Sequence, residues 1–305
     1  MPIADDPAIS RRRLKGELRA VRAETDLTRE DAAAALDWSL SKLVRIETGD
    51  QGISVTDLRA MLQLYKVSDE STIQELTELA RSSRGQTWWS GYRDVVTKQY
   101  GQLLGYEGAA SYIRAFHPLL IPGLLHTDDY AFELRRVRMP EEQARKLVNL
   151  LIERQERLFD QPKPPETAFV FGEEALNRLI GGPTIMRHQL RHLLEVADSP
   201  SVSMQIVPFS VGAHAGLIGP FTLLGLQDSG EDLLFFEGAV GDVVNRDDEE
   251  MIASFINEFE EIRNLALSER ETKTVINRMI EQIGQPGQED SGKSTARERP
   301  RSPDA

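Results

Sequence analysis

The 305 residues carry 36 basic and 49 acidic side chains, a formal net charge of −13, with 40% hydrophobic residues and no cysteine. That length predicts two domains plus tails, and the missing cysteine excludes disulfides, thiolate metal sites and cysteine nucleophiles. No apolar run of about 18 residues predicts a membrane span, and the start of the chain lacks an apolar signal segment, so a cytoplasmic location is expected.

In chain order, residues 1–9 predict a flexible arm. Ser10 is a candidate N-cap for a helix to about Ala23, with Leu14, Leu18 and Val21 as its buried stripe. The stretch Arg11–Arg22 holds six basic residues and one acid. Residues 1–66 balance 11 basic against 11 acidic side chains, so the remaining 25 and 38 place the whole excess of 13 negatives on residues 67–305. The basic charge is local, as a nucleic-acid-binding segment requires, and the acidic remainder should face away from such a partner. Cations at a helix start oppose its dipole, which points to another reason for them, such as phosphate contact.

Thr28 caps a second helix, with Glu30 and Asp31 in its first turn, where the dipole favours anions. Ala32–Ala35 permits close packing. Asp37-Trp38 makes a turn and Ser39 caps a third helix, in which Leu40, Leu43 and Ile46 face inward. The i, i+3, i+4 geometry leaves Ser41, Lys42 and Arg45 together outside. Gly49 suits a helix C-cap. Ser54 caps a fourth helix, Val55–Tyr65, striped by Leu58, Met61, Leu62 and Tyr65, and a fifth runs from about Glu70 to Arg84. Residues 10–84 thus form a five-helix domain. Its second and third helices, joined by a tight turn, have the form that places a helix in the DNA major groove. The candidate base contacts are Ser39, Ser41, Lys42 and Arg45; the candidate phosphate contacts are Arg13, Lys15, Thr28 and Arg29.

A glycine-punctuated aromatic cluster, Gly85–Tyr92, reads as a hinge that docks the first domain on a second, residues 85–283. Strands are expected at Ser111–Phe116, Thr167–Phe171, Val202–Pro208, Phe221–Leu226 and Leu233–Glu237, the last two joined by a turn at Asp228-Ser229-Gly230. Helices are expected from Thr127, at about Pro140–Phe159, Glu173–Leu179, Thr184–Ala197, Asp248–Leu267 and Glu269–Ile283. Strands separated by helices with a final pair predict an α+β domain with a four- or five-stranded sheet. The fold class is therefore mainly α, with an α+β second domain. Residues 284–305 have the composition of a disordered tail. The stiff apolar stretch His117–His126 suits either closure of the core or one wall of a ligand pocket or partner groove. Its candidate contact residues are Pro118, Leu120, Pro122, Leu124, His126 and Tyr130.

Residues 10–66 resemble the lambda-repressor/Cro-type (XRE) helix-turn-helix domain. The resemblance is carried by Leu27-Thr28-Arg29, the alanine-rich helix, Ser39 and Arg45-Ile46-Glu47-Thr48-Gly49. Three positions depart from the pattern: Asp26 and Asp37 stand where the family usually has glycine, and Arg29 where it often has glutamine. Residues 88–283 resemble the C-terminal domain behind such units in many actinobacterial regulators, described in part as antitoxin-like. That resemblance is carried by Trp88-Trp89, Leu120–Ala131, Gln205–Phe209 and Gly219–Leu224. Together the two resemblances imply a sequence-specific transcription regulator of double-stranded DNA, with a domain that senses a small-molecule effector or a small protein partner encoded nearby. Since one helix-turn-helix domain alone would bind too weakly, a homodimer on a near-palindromic site is expected. The alternative is an antitoxin-like module whose main work is sequestering that partner while it autoregulates its operon.

Enzymatic chemistry finds no foothold. His188 and His192 share a helix face, but Gln189 stands where a zinc protease needs glutamate, and the pair reads as surface. Gly212–Gly219 with His214 lacks the Gly-Lys-Ser/Thr of a phosphate loop, and no Gly-x-Ser-x-Gly elbow occurs. No catalytic residue, metal site or cofactor is therefore expected.

Overall fold

The computed structural model describes residues 7–48, 51–226, 232–238, 241–246 and 248–283. The expected arm (but for residues 7–9), the Gly49 cap, the turn at 228–230 and the tail lie outside the described residues.

Five helices build the first domain: α1 (Pro7–Ala23), α2 (Arg29–Ala35), α3 (Leu40–Glu47), α4 (Val55–Leu64) and α5 (Glu70–Ser82). Their caps follow the sequence. Thr28, Ser39, Ser54 and Asp69 each accept a backbone N–H in the first turn, each cap being worth about 1 kcal/mol. One start differs from expectation. α1 begins at Pro7, a residue tolerated in a first helical turn, and Ser10 is inside the helix and buried rather than capping it. The α2–α3 turn places Asp37 at φ 54°, whereas Asp26 is not in the left-handed region. Only Asp37 therefore carries the conformation for which glycine is usual. Leu14, Leu18, Ala32, Ala33, Leu43, Ile46, Leu58, Met61 and Leu62 form one core. Leu40, expected inward, is 41% exposed at the first position of α3.

The aromatic cluster forms a 3-10 turn, Trp88–Tyr92. It packs on the long helix α8 (Glu141–Phe159), where the Arg157 guanidinium lies 4.9 Å from the Trp88 ring and Tyr92 Oη donates to Glu153. A further helix, α6 (Lys98–Glu107), for which the sequence gives no expectation, follows.

The second domain is a sheet covered on both faces. Strands β1 (Ala110–His117), β2 (Glu166–Gly172) and β3 (Val202–Val207) are parallel, and β4 (Phe221–Leu226), β5 (Asp232–Phe236) and β6 (Val243–Asn245) continue antiparallel from β1. The order is β3-β2-β1-β4-β5-β6, six strands rather than four or five. β6 was missed because it is three residues long, too short to show a period. The parallel half is linked by α7 (Asp128–Arg135) and α8, then by α9 (Glu174–Asn177) and α10 (Pro183–Val196). Residue alternation decides which face each side chain takes. Ile113, Ala115, Phe169, Phe171, Met204, Ile206, Leu233 and Phe235 pack with α10 and with α12 (Glu269–Ile283). Phe116, Val170, Val207, Leu223 and Leu234 pack with Ile252, Phe259 and Ile262 of α11 (Glu249–Leu265). Among the described residues, no helix is long and apolar enough to cross a membrane.

The stretch His117–His126 closes this core. Ile121, Pro122, Leu124, Leu125, His126 and Tyr130 are buried, and Leu119 is exposed. Its backbone is satisfied by buried side chains, as a loop away from water requires. Gln189 Nε2 donates to Leu125 O (2.6 Å) and its Oε1 accepts from the Thr127 amide (2.7 Å). Gln155 Nε2 donates to the carbonyls of Leu124 and His126, and His126 Nε2 donates to Ile121 O (2.7 Å). The glycine-rich connection at 212–219 is a pair of 3-10 turns flanking Gly212, whose φ is 69°. Within it, a Cβ on Gly216 would come 2.3 Å from the Phe116 ring, so only glycine fits.

Candidate nucleic-acid interface

α3 is held from behind and open in front. Behind, Leu43 and Ile46 enter the core, together with the carboxylate of Glu47, which is fully buried. Arg22, at the end of α1, donates from Nε to Glu47 Oε1 (2.6 Å), and Arg29, at the start of α2, from Nε to Oε2 (2.8 Å). Three helices are thereby fixed to one carboxylate, with Arg22 also donating to Leu27 O. The burial and the Glu47 charge push the adjacent Tyr65 phenol up to about 12. This clamp was not foreseen. The signal was there: Glu47 lies four residues after Leu43, on the buried stripe, where a carboxylate requires a cation.

In front, Ser41 and Arg45 are exposed. Arg45 Nε donates to Ser41 O (3.2 Å), which lays the guanidinium along the helix. Lys42 is drawn to one side: its Nζ sits 3.8 Å from the centre of the Trp38 ring and 3.4 Å from Asp57 Oδ2. The Ser39 hydroxyl accepts the Lys42 amide (3.2 Å) as the helix cap. Ser39, Ser41 and Arg45 therefore form one polar end and flank of α3, and Lys42 stands at its rim.

The four candidate phosphate contacts do not share one place. Thr28 is exposed at the start of α2. Its hydroxyl donates to Asp31 Oδ2 (2.6 Å) and accepts the Asp31 amide (3.1 Å), and these bonds hold the Asp31 carboxyl below the usual range. Arg29 lies beside it, turned to Glu47 but with its side chain 39% exposed. Arg13 reaches Glu75 of α5 (3.4 Å). Lys15 faces the second domain, at a cavity bordered by α6. Thr28 and Arg29 thus adjoin the α3 face, while Arg13 and Lys15 are on other sides of α1.

Of the histidine pair, His188 is exposed, and His192 Nδ1 is 3.9 Å from Glu195. Among the described residues, no three His, Cys, Asp or Glu side chains group as metal ligands would.

The fold and this face define a helix-turn-helix protein with an α/β domain behind it. The sequence profile of a helix-turn-helix domain matches residues 13–76. The profile described as "Domain of unknown function (DUF5753)" matches residues 100–278, more than half of the chain, and the chain belongs to that family. No curated protein and no solved structure matches it.

Proposed function

We propose that the protein is a cytoplasmic, sequence-specific DNA-binding transcription regulator that acts as a homodimer. The supporting observation is the α3 face, with Ser41 and Arg45 exposed on a helix clamped by Glu47. A rigid helix with a polar, basic front is suited to the major groove, where arginine reads guanine by a bidentate contact. Arg45 and Ser41 read bases. Lys42 exchanges Asp57 for the nucleic acid, while Thr28 and Arg29 approach the backbone. One α3 reads only a few base pairs, so a second copy on a near-palindromic site supplies the remaining affinity. The second domain is the sensor that sets DNA occupancy, and the reading carries no catalytic step.

The test is selection of duplexes from a random pool by the purified protein, followed by Arg45→Ala. A good base contact is worth about 1–3 kcal/mol. The variant should lose roughly 5- to 150-fold in affinity for the enriched site and much less for random DNA. An equal loss on both would make Arg45 a phosphate contact, and a pool with no enriched sequence would remove the regulator reading.

A second reading is supported by the apolar side chains on the 3-10 turns, where Phe209, Leu217 and Ile218 are 56%, 52% and 91% exposed. An antitoxin-like module that holds a small protein partner would use such a surface. A stoichiometric small protein co-purifying from the native host, and lost in Ile218→Asp, would favour it.

A further inference from the structure

The leading end of α3 carries an apolar side chain that the core does not take. Leu40 is the first residue of the helix and is 41% exposed. Among the described side chains of α1–α5 it is the one large hydrophobic group left exposed, while Leu43 and Ile46 of the same helix are buried. An exposed leucine on an ordinary surface has no special meaning. This one stands between Ser39 and Ser41, both exposed, at the end of a helix whose front is otherwise polar. A recognition helix enters the major groove with its N-terminal residues against the base edges.

The long polar side chains nearby are engaged elsewhere. Lys42 lies over the Trp38 ring (3.8 Å) and beside Asp57 (3.4 Å), and Arg45 bends back to Ser41 O (3.2 Å). The Ser39 hydroxyl accepts the Lys42 amide (3.2 Å). In the first turn, Leu40 supplies the hydrocarbon and the two serines flank it with short polar groups. Helix geometry fixes its row: Leu40, Val44 and Glu47 follow at i, i+4 and i+7, and Glu47 accepts from Arg29 Nε. That row runs next to the row of Ser41 and Arg45.

The major groove offers one apolar feature, the C5-methyl group of thymine; the other bases present donors and acceptors there. A leucine set against thymine buries that methyl group. Set against guanine or cytosine, it covers polar groups and offers them no partner, which is costly. The side chain thus selects by attraction and by exclusion.

We propose that Leu40 is a specificity-determining residue that reads the 5-methyl group of a thymine in each half-site. The proposal rests on the reading of the protein as a sequence-specific DNA-binding dimer. It adds to that reading a base identity and an apolar contact that Ser41 and Arg45 do not supply.

The test uses the full chain and the site enriched from random duplexes, at one fixed salt concentration. Each thymine of the two half-sites is replaced in turn by uracil, which removes the methyl group and keeps the groove's donors and acceptors. Wild type should lose about three- to fivefold in affinity at one thymine of each half-site, the equivalent of one buried methyl group. Leu40→Ala should bind the thymine and uracil duplexes equally and keep its affinity for random duplex. The thymine-to-uracil ratio is internal to each variant, so a change in the folded fraction cancels. The contact is overturned if wild type tolerates uracil at every position, or if Leu40→Ala keeps the preference for thymine. It is also overturned if Leu40→Ala weakens both duplexes by the same factor, which would assign Leu40 to the fold or to contact between copies. A pool with no enriched sequence removes the regulator reading and this contact with it, whereas an enriched site indifferent to uracil removes the contact alone.

Discussion

Glu47→Gln removes one negative charge from the centre of the helix-turn-helix and keeps the side-chain shape. The wild-type carboxylate has no solvent exposure and accepts from Arg22 Nε (2.6 Å) and Nη2 (3.4 Å) and from Arg29 Nε (2.8 Å), side chains 18% and 39% exposed. Breaking a fully buried ion pair from one side costs about 3–5 kcal/mol. Arg29 is exposed enough to rehydrate, and its share falls to at most about 1 kcal/mol. Arg22 keeps Leu27 O as an acceptor. The sum for Glu47→Gln is therefore about 3 kcal/mol, and for Arg29→Ala under about 1 kcal/mol. Amide hydrogen exchange of the full chain reads this locally: Leu43 and Ile46 amides should exchange roughly 100-fold faster in Glu47→Gln. The amides of β1 and β2 should not change. Acceleration below threefold, or an equal effect of Arg29→Ala, would refute the clamp as the element that fixes α3.

Lys66 sits just past α4 at φ 60°, with its amide and that of Val67 donating back into the last turn. Removing its Cβ relieves about 1–2 kcal/mol of left-handed strain, less up to about 1 kcal/mol of added unfolded-state entropy. Lys66→Gly should therefore raise stability by roughly 0.5–1 kcal/mol in denaturant titration, and a loss would contradict the strain. Burial, helped by the charge of Arg135, pushes the His126 imidazole down to about 3. The unfolded chain then binds a proton that the folded chain refuses, so stability falls as pH drops below about 6.5. His126 contributes a loss of about 2 kcal/mol between pH 7 and pH 5, and His126→Gln should remove that share of the pH slope in urea titrations.

Local periodicity carried most of the first domain. Caps at Thr28, Ser39 and Ser54 and the stripe Leu43, Ile46, Leu58, Met61 and Leu62 are short-range signals, and they survive folding because tertiary packing uses the same residues. Two kinds of element escaped. α6 contains Gly101 and Gly105, which lower its helical signal, and the space they leave serves packing: a Cβ on Gly101 would press the Trp89 ring at 3.2 Å. β6 exists because β5 needs an edge partner, a demand invisible in three residues. The destination of long charged side chains was also unreadable. Arg13, Lys15, Arg22 and Arg29 look alike in sequence, and only the fold decides that they meet Glu75, a cavity and Glu47.

That division of cations bears on how binding could be controlled. The basic run on α1 is used inside the protein: Arg11 reaches Ser83 O, Lys15 and Arg19 border the interdomain cavities, and Arg22 holds Glu47. Arg22 and Arg13 of this run are paired with carboxylates, Glu47 and Glu75, and the acidic body opposes attraction of DNA at long range. In the proposed regulator, affinity must then come from short-range contacts of α3 and from pairing two copies in the correct geometry. Affinity built this way is sensitive to orientation. A coupling of about 1–3 kcal/mol, ordinary for a bound effector, would shift occupancy 5- to 150-fold if it tilted α1 against α6. A strongly basic surface would hold DNA in many orientations and blunt that response. Drawing α1's cations inward therefore favours control over raw affinity.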